Sequence, residues 1–444
     1  MEKLLILFVP KSLRTSEKIN EHKMTKTQEK YRLLLYKVSY YLTLLMVFCI
    51  PFYKKMMPYL IGIWIVCWIS ATLLSHFHRE SFNNKILLLP VLFYLFHILG
   101  MIWTTKYWSG VFDLEVKFSI LLFPLAFIFL TPIYKNKLKE ILFAFIAGNL
   151  IVSLFCLCRA AVLYFVYSKP SFFYNELSFF GHPSYFSMYL TFCIIILYYM
   201  ITRKFGNFNY YTKIIFIALI LYFCIFIFLL SSRAGIICAF MVLFLMITID
   251  IIRNRKLLPS IVWLLISIGL FIIALKYNSR LQDAEKIMGT NGKSFYSNKE
   301  TTESIGVRYL IWQTAFDIFK ENLIIGVGTG DVKAVLLKNY KILGMTGAYG
   351  NKLNVHNQFL ESFFGLGIPG GLLLILVFLV PFIMAIRKRN FIMIFFLLTT
   401  GFNFLIESML NTQAGVVFFS FFLCLLISAP YDNIITINKK TETI

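Results

Sequence analysis

The chain has 444 residues; 59% are hydrophobic and 14% charged, against roughly 45–50% and 25% in soluble domains. That composition excludes a soluble globular protein and indicates an integral membrane protein. The formal net charge is +22, but it is spread over short loops between apolar segments, the pattern of basic membrane-protein loops and not of a nucleic-acid-binding surface.

The short apolar run Leu4–Val9 lacks both a preceding charge cluster and a small-residue cleavage site, so it is not read as a signal peptide. Lys11, Arg14, Lys18, Lys23, Lys26, Lys30 and Arg32 make residues 1–37 a basic cytoplasmic arm suited to anionic headgroups. A spanning helix needs about 20 mostly apolar residues. Segments of that kind fall at 38–53, 56–77, 86–105, 118–134, 141–167, 184–201, 214–230, 234–252 and 257–275, then at 363–386, 390–410 and 413–430. The expected fold is all-α: about nine spans over 38–275, a large loop at 276–362, about three spans over 363–430, and a cytoplasmic tail at 431–444. All eight cysteines lie in apolar runs, which argues against a disulfide framework or a zinc site.

Lys/Arg bias sets the orientation. With the basic arm inside, alternate loops carry Arg79/Lys85, Lys135/Lys137/Lys139, Arg203/Lys204/Lys213, Arg253/Arg255/Lys256 and Arg387/Lys388/Arg389. The opposite loops carry fewer basic residues. Both termini are then cytoplasmic, and 168–183, Ser231–Arg233 and 276–362 lie outside. An enzyme acting there has no ATP or nucleotide sugar and needs a donor that is already activated, such as a lipid-linked pyrophosphate.

The 276–362 loop is too long for a simple connection. Val307, Leu310, Ile311, Thr314, Ile318 and Leu323 recur at helical spacing, so 306–322 is predicted to be an amphipathic helix lying on the membrane. Gly326-Val327-Gly328-Thr329-Gly330-Asp331 lacks the Gly-Lys-Ser/Thr ending of a phosphate loop and is read as a turn, with Asp331 or Thr329 capping the next helix. That helix carries Val332, Val335, Leu336 and Tyr340 on one face.

The candidate chemistry is all on the outer side. Arg233, in the tight Ser231-Ser232-Arg233 turn, is either an interface anchor or an anion ligand. Arg308, beside Tyr309 and near Trp312, is either on a solvated face or a second phosphate ligand. His356, at a polar-to-apolar junction, is either a helix-start residue or a general base. His182, before Pro183, has the same two readings. Glu407, a carboxylate in an apolar run, is either functional or paired with an outer arginine.

The ordered set Ser232-Arg233-Ala234-Gly235, Arg308-Tyr309-Leu310-Ile311-Trp312, Gly326-Val327-Gly328 and His356-Asn357-Gln358-Phe359-Leu360-Glu361 running into Gly365-Leu366-Gly367-Ile368-Pro369-Gly370 resembles the O-antigen ligase and polymerase superfamily, most strongly over about 300–372. The resemblance implies a GT-C-like membrane fold and a glycosyltransferase that needs no metal or other cofactor. Its donor is a glycan on undecaprenyl pyrophosphate, at the periplasmic face of the inner membrane. It assigns the pyrophosphate to Arg233 and Arg308 and acceptor activation to His356, with His182, Trp312, Asn357 and Glu407 as secondary candidates. An O-antigen ligase acting on lipid A–core is the favoured reading, with inversion at the anomeric carbon. A Wzy-type polymerase shares the donor and differs in its acceptor. A protein O-oligosaccharyltransferase has less support, for want of a recognisable further C-terminal region. A transporter or lipid-linked oligosaccharide flippase suits twelve spans, but transporters place polar sites at midplane in related halves, and no second copy of any segment is visible.

Overall fold

The computed structural model describes residues 26–52, 56–74, 85–128, 137–202, 208–254, 269, 299–300 and 305–428. Among the described residues the chain is helical, without strands. In order, the helices are α1 (Lys26–Cys49), α2 (Met57–Leu74), α3 (Leu88–Leu99), α4 (Tyr107–Lys117), α5 (Ser119–Ile128), α6 (Leu138–Tyr167), α7 (Tyr174–Leu177), α8 (Pro183–Thr202), α9 (Tyr210–Leu229) and α10 (Arg233–Asn254). They continue as α11 (Ile305–Glu321), α12 (Val332–Ile342), α13 (Thr346–Gly350), α14 (Gln358–Arg387), α15 (Phe391–Ile406) and α16 (Gln413–Ser428). Eleven of the twelve predicted apolar segments fall on these helices. The twelfth, 257–275, lies outside the described residues but for Gly269, as do most of the 1–37 arm, the loop up to 298 and the 431–444 tail. Six helices (from α1, α6, α8, α9, α10 and α14) are long and apolar enough to cross a bilayer, and four shorter apolar helices accompany them.

Helix starts follow local chemistry. Asn209, Asn357 and Asn390 each accept a hydrogen bond from the backbone N–H three residues on, at 2.9, 3.0 and 3.1 Å, and Ser232 does the same for Gly235 at 3.2 Å. Pro183 opens α8, where a missing N–H costs nothing.

Helix α8 lies at the centre, buried nearly all round against α6, α9, α10 and α15. Helix α16 is equally enclosed. Phe145, Phe192, Phe396, Phe418 and Phe422 interlock between α6, α8, α15 and α16, with ring centroids 4.9–6.2 Å apart. A second, smaller core joins α11–α13 through Val307, Ile311, Ala315, Ile318, Leu336 and Tyr340, and Phe364 of α14 completes it. The apolar face of α11 therefore packs on protein, against α14 and this core. The prediction that it lies on the membrane is corrected accordingly, although Leu323, just beyond its end, is exposed.

Helix α14 departs from the sequence expectation. It is broken at Gly367, which has φ 70° and ψ −169°, so the turns at 358–366 form a separate helical piece ahead of the long apolar one. Pro369 explains the break: its ring would meet the carbonyl of Gly365, and it has no N–H to give. The freed groups are satisfied by the Gly-rich segment and the residues just before it. Val327 N–H donates to Phe364 O (3.1 Å), Gly328 N–H to Gly365 O (2.9 Å), and Ile368 N–H to Leu323 O (2.8 Å). Only glycine permits this approach. A Cβ on Gly326 would lie 2.4 Å from the Gly365 carbonyl atoms, and one on Gly330 would lie 2.4 Å from Lys106 O.

Candidate active site

The expected capping role of Asp331 and Thr329 is not what the structure holds. Asp331 occupies the N-cap position of α12 but makes no side-chain cap. Its carboxylate instead accepts from Thr105 N (2.7 Å), Thr105 Oγ1 (2.8 Å) and Lys106 N (2.9 Å), while Thr329 Oγ1 donates to His97 O (2.7 Å). Bonding across the fold takes precedence because the turn at 100–106 presents backbone N–H groups in front of α4 that no helix satisfies. The Gly-rich segment is thus a latch that fixes α11–α13 to the bundle.

That latch brings three predicted residues together. Glu407 lies just past the end of α15, with backbone in the extended region. One of its oxygens accepts from Arg308 Nη2 at 2.8 Å and the other faces His356 Nδ1 at 2.9 Å. Arg308 Nη1 also donates to Ile406 O at 2.5 Å, so Arg308 is tied to the carboxylate and to the chain beside it, not left on a solvated face. Burial pushes the Glu407 carboxyl up, but the hydrogen bond from His356 and the charge of Arg308 outweigh it and hold the group at about 2. An ionised carboxylate can only accept, so Nδ1 of His356 carries the proton. With Nδ1 carrying the proton, a neutral imidazole would have its lone pair on Nε2.

His356 is held tightly. Its backbone is left-handed, φ 52°, supported by Asn354 Oδ1, which accepts from His356 N at 3.1 Å. Trp312 donates its indole N–H to Val355 O at 2.9 Å, immediately before it. Asn357, immediately after, is the N-cap of α14. Trp312 and Asn357 therefore fix the chain on either side of the imidazole.

Arg233 and His182 stand on the neighbouring wall. Cys238 of α10 meets Asn403 of α15 at 3.6 Å. From there Arg233 lies about 7.5 Å and Glu407 about 6 Å along their helices toward the same end. Arg233, partly exposed, begins α10. Its neighbour Ser232 donates to Ser184 Oγ at 3.4 Å, and Ser184 N donates to His182 Nδ1 at 3.3 Å. His182 borders a groove walled by Phe52, Phe180, Tyr185 and Phe186. Tyr185 bonds Thr412 and lies in the field of Glu407 and Glu361.

Sequence reasoning did not single out the groups that hold the Glu407 turn. Glu361, on the first turn of α14, accepts from Ser408 Oγ and, at 2.6 Å, from Asn411 Nδ2. Gln358 Oε1 accepts from Leu410 N at 2.7 Å. The available signal was a carboxylate entering an apolar run at Glu361, the same signal that drew attention to Glu407.

Residues 217–375 match the family described as O-antigen ligase. That range includes Arg233, Arg308, Trp312, His356, Asn357 and Glu361 and leaves His182 and Glu407 outside. A stretch of 193 residues is 28% identical to an uncharacterized protein of Haemophilus influenzae, covering 39% of this chain. The chain thus spans 46% of that relative's length. With its apolar helices and the match over residues 217–375, this is a bacterial membrane protein with a segment similar to the O-antigen ligase family, which covers ligases and polymerases.

Proposed function

We propose that the protein is an O-antigen ligase-like glycosyltransferase. It moves a glycan from undecaprenyl pyrophosphate to a sugar hydroxyl of lipid A–core at the periplasmic face of the inner membrane. The Lys/Arg bias of the short loops supports cytoplasmic termini and a periplasmic site, within a GT-C-like bundle of about twelve spans. The observation that carries the reading is Glu407 bridging Arg308 and His356 at 2.8 and 2.9 Å. A carboxylate on Nδ1 favours the tautomer whose Nε2 can accept a proton, as a general base requires.

In this reading the acceptor hydroxyl gives its proton to His356 Nε2 as its oxygen attacks the anomeric carbon. The bond from that carbon to pyrophosphate breaks, and inversion follows from attack opposite the leaving group. Arg233 and the remaining N–H groups of Arg308 take up the negative charge on the departing pyrophosphate. No step calls on a metal, so transfer is expected to survive chelator; loss that added metal reverses would overturn this part.

A polymerase would use the same chemistry on a different acceptor. Deleting the gene and resolving lipopolysaccharide on a gel separates the two. Loss of a ligase leaves bare lipid A–core with polymer on its carrier, whereas loss of a polymerase leaves core capped by one repeat. Restoration by wild type but not by His356→Ala or Arg308→Ala protein present in the membrane is expected. Full restoration by either variant removes that residue from the mechanism. Helix α14 is discontinuous, as transporter helices often are, but its freed carbonyls are occupied by Val327 and Gly328, which argues against the transporter reading.

A further inference from the structure

Five residues beyond His356, Glu361 is a carboxylate almost without exposure, at 8%. Both its oxygens are used on the turn that follows Glu407, through Ser408 and Asn411. Gln358, one helical turn earlier, grips the same turn at Leu410 N. The contacts join positions 50, 47 and 52 residues apart, so they are tertiary fastenings and not features of either element alone. From α4, the buried Lys117 and its partner Asp113 act on Glu361 with opposite signs. His97, Asp113, Lys117, Thr329, Gln358 and Glu361 border a common cavity.

We propose that Glu361 is a positioning residue: by clamping Ser408 and Asn411 it fixes the 407–411 turn, and so holds the Glu407 carboxylate against His356 Nδ1. The proposal rests on His356 acting as the base. Glu407 caps α15 through its N–H on Asn403 O, and its extended backbone leads straight into the turn that Glu361 and Gln358 fasten. The charged groups facing the pair are Arg308 from α11, and those facing Glu361 are Lys117 and Asp113 from α4.

The test uses the full-length protein in detergent, with donor extracted as lipid-linked glycan from the parent strain's membranes. Glu361→Ala is expected to lower kcat at least about tenfold, with KM for the donor within about threefold. Glu361→Gln, whose amide can still bond Ser408 and Asn411, should recover most of the loss. Ser408→Ala, a milder change, should show a smaller fall in kcat with KM likewise unchanged, and it serves if the alanine variant at 361 does not fold. If purified Glu361→Ala or Ser408→Ala protein turns over at the wild-type rate, the inference is overturned, and lower yield alone does not rescue it. If Glu407→Gln also turns over at the wild-type rate, the underlying reading of His356 and Glu407 fails as well, which distinguishes the two failures.

Discussion

Replacing Glu407 by glutamine exchanges one oxygen for an NH2 group and removes one charge, with almost no change in volume. Arg308 can only donate, so the amide oxygen must turn to Arg308 Nη2, now 2.8 Å from a carboxylate oxygen. The amide NH2 then faces His356 Nδ1, at the 2.9 Å position of the other oxygen. Two donors cannot share that contact, so the imidazole adopts the tautomer with its proton on Nε2. A base whose accepting nitrogen is already protonated is lost. General-base catalysis is worth roughly 10²–10⁴-fold, and a fall of that size in kcat is expected. The wild-type carboxyl is held at about 2 against an ordinary 4.5, so the variant also forfeits roughly 3 kcal/mol of charge stabilisation near neutral pH. The assay is single-turnover glycan transfer by purified protein at saturating donor, with folded fraction matched by size exclusion. Glu407→Gln protein within about threefold of wild type would refute both the tautomer argument and the general-base role it supports.

The same carboxyl predicts a pH effect on stability. Its folded value is depressed, so its contribution is fully present above about 4.5 and is lost as pH falls toward about 2; thermal unfolding in detergent should show wild type losing more stability than Glu407→Gln across that window. Asp331→Ala removes the acceptor for Thr105 N, Thr105 Oγ1 and Lys106 N and is expected to cost about 2–3 kcal/mol, tempered by the exposure of those donors. Limited proteolysis should then cut within 305–357 before the bundle. Gly326→Ala would place a methyl 2.4 Å from backbone atoms of Gly365 while demanding φ +70°, a combined cost of roughly 3 kcal/mol. A Gly326→Ala protein as thermostable as wild type would contradict the close packing of the latch on α14.

The sequence disclosed the bundle because a bilayer imposes its own rule: about 20 apolar residues per crossing. Helices such as α8 and α14 therefore stand out as uninterrupted apolar runs. The break inside α14 was less legible. Gly367 and Pro369 were visible, but what makes a break tolerable is a partner for the freed carbonyls, and Val327 and Gly328 are about 37 residues away in sequence. Asp331 is the extreme case. As a residue before a helix it reads as a cap, and nothing local reveals that donors 226 and 225 positions away outcompete the cap. Glu407 was half legible: a carboxylate in an apolar run calls for a partner, and the expected outer arginine is Arg308, but nothing local announced that the same carboxylate also meets His356.

Placing His356 against Glu407 requires two parts of the chain 51 residues apart to agree within a few tenths of an ångström. One side is carried by the 305–357 segment, anchored by Asp331 on the 105–106 turn, by Val327 and Gly328 on the broken helix, and by Trp312 on Val355. The other is carried by the turn after α15, anchored by Glu361 and Gln358. Arg308, like His356, belongs to the first part and bonds the second directly. Its guanidinium is 30% exposed while the Glu407 carboxylate is 9% exposed, so charge arriving at the mouth of the site meets the arginine before the carboxylate. A pyrophosphate drawing on Arg308 would compete with Glu407 for the same fork of donors, and Glu407 would lean more heavily on His356 as it did so. If Arg308 holds the donor and His356 is the base, as proposed, donor binding and base activation are coupled through this one arginine.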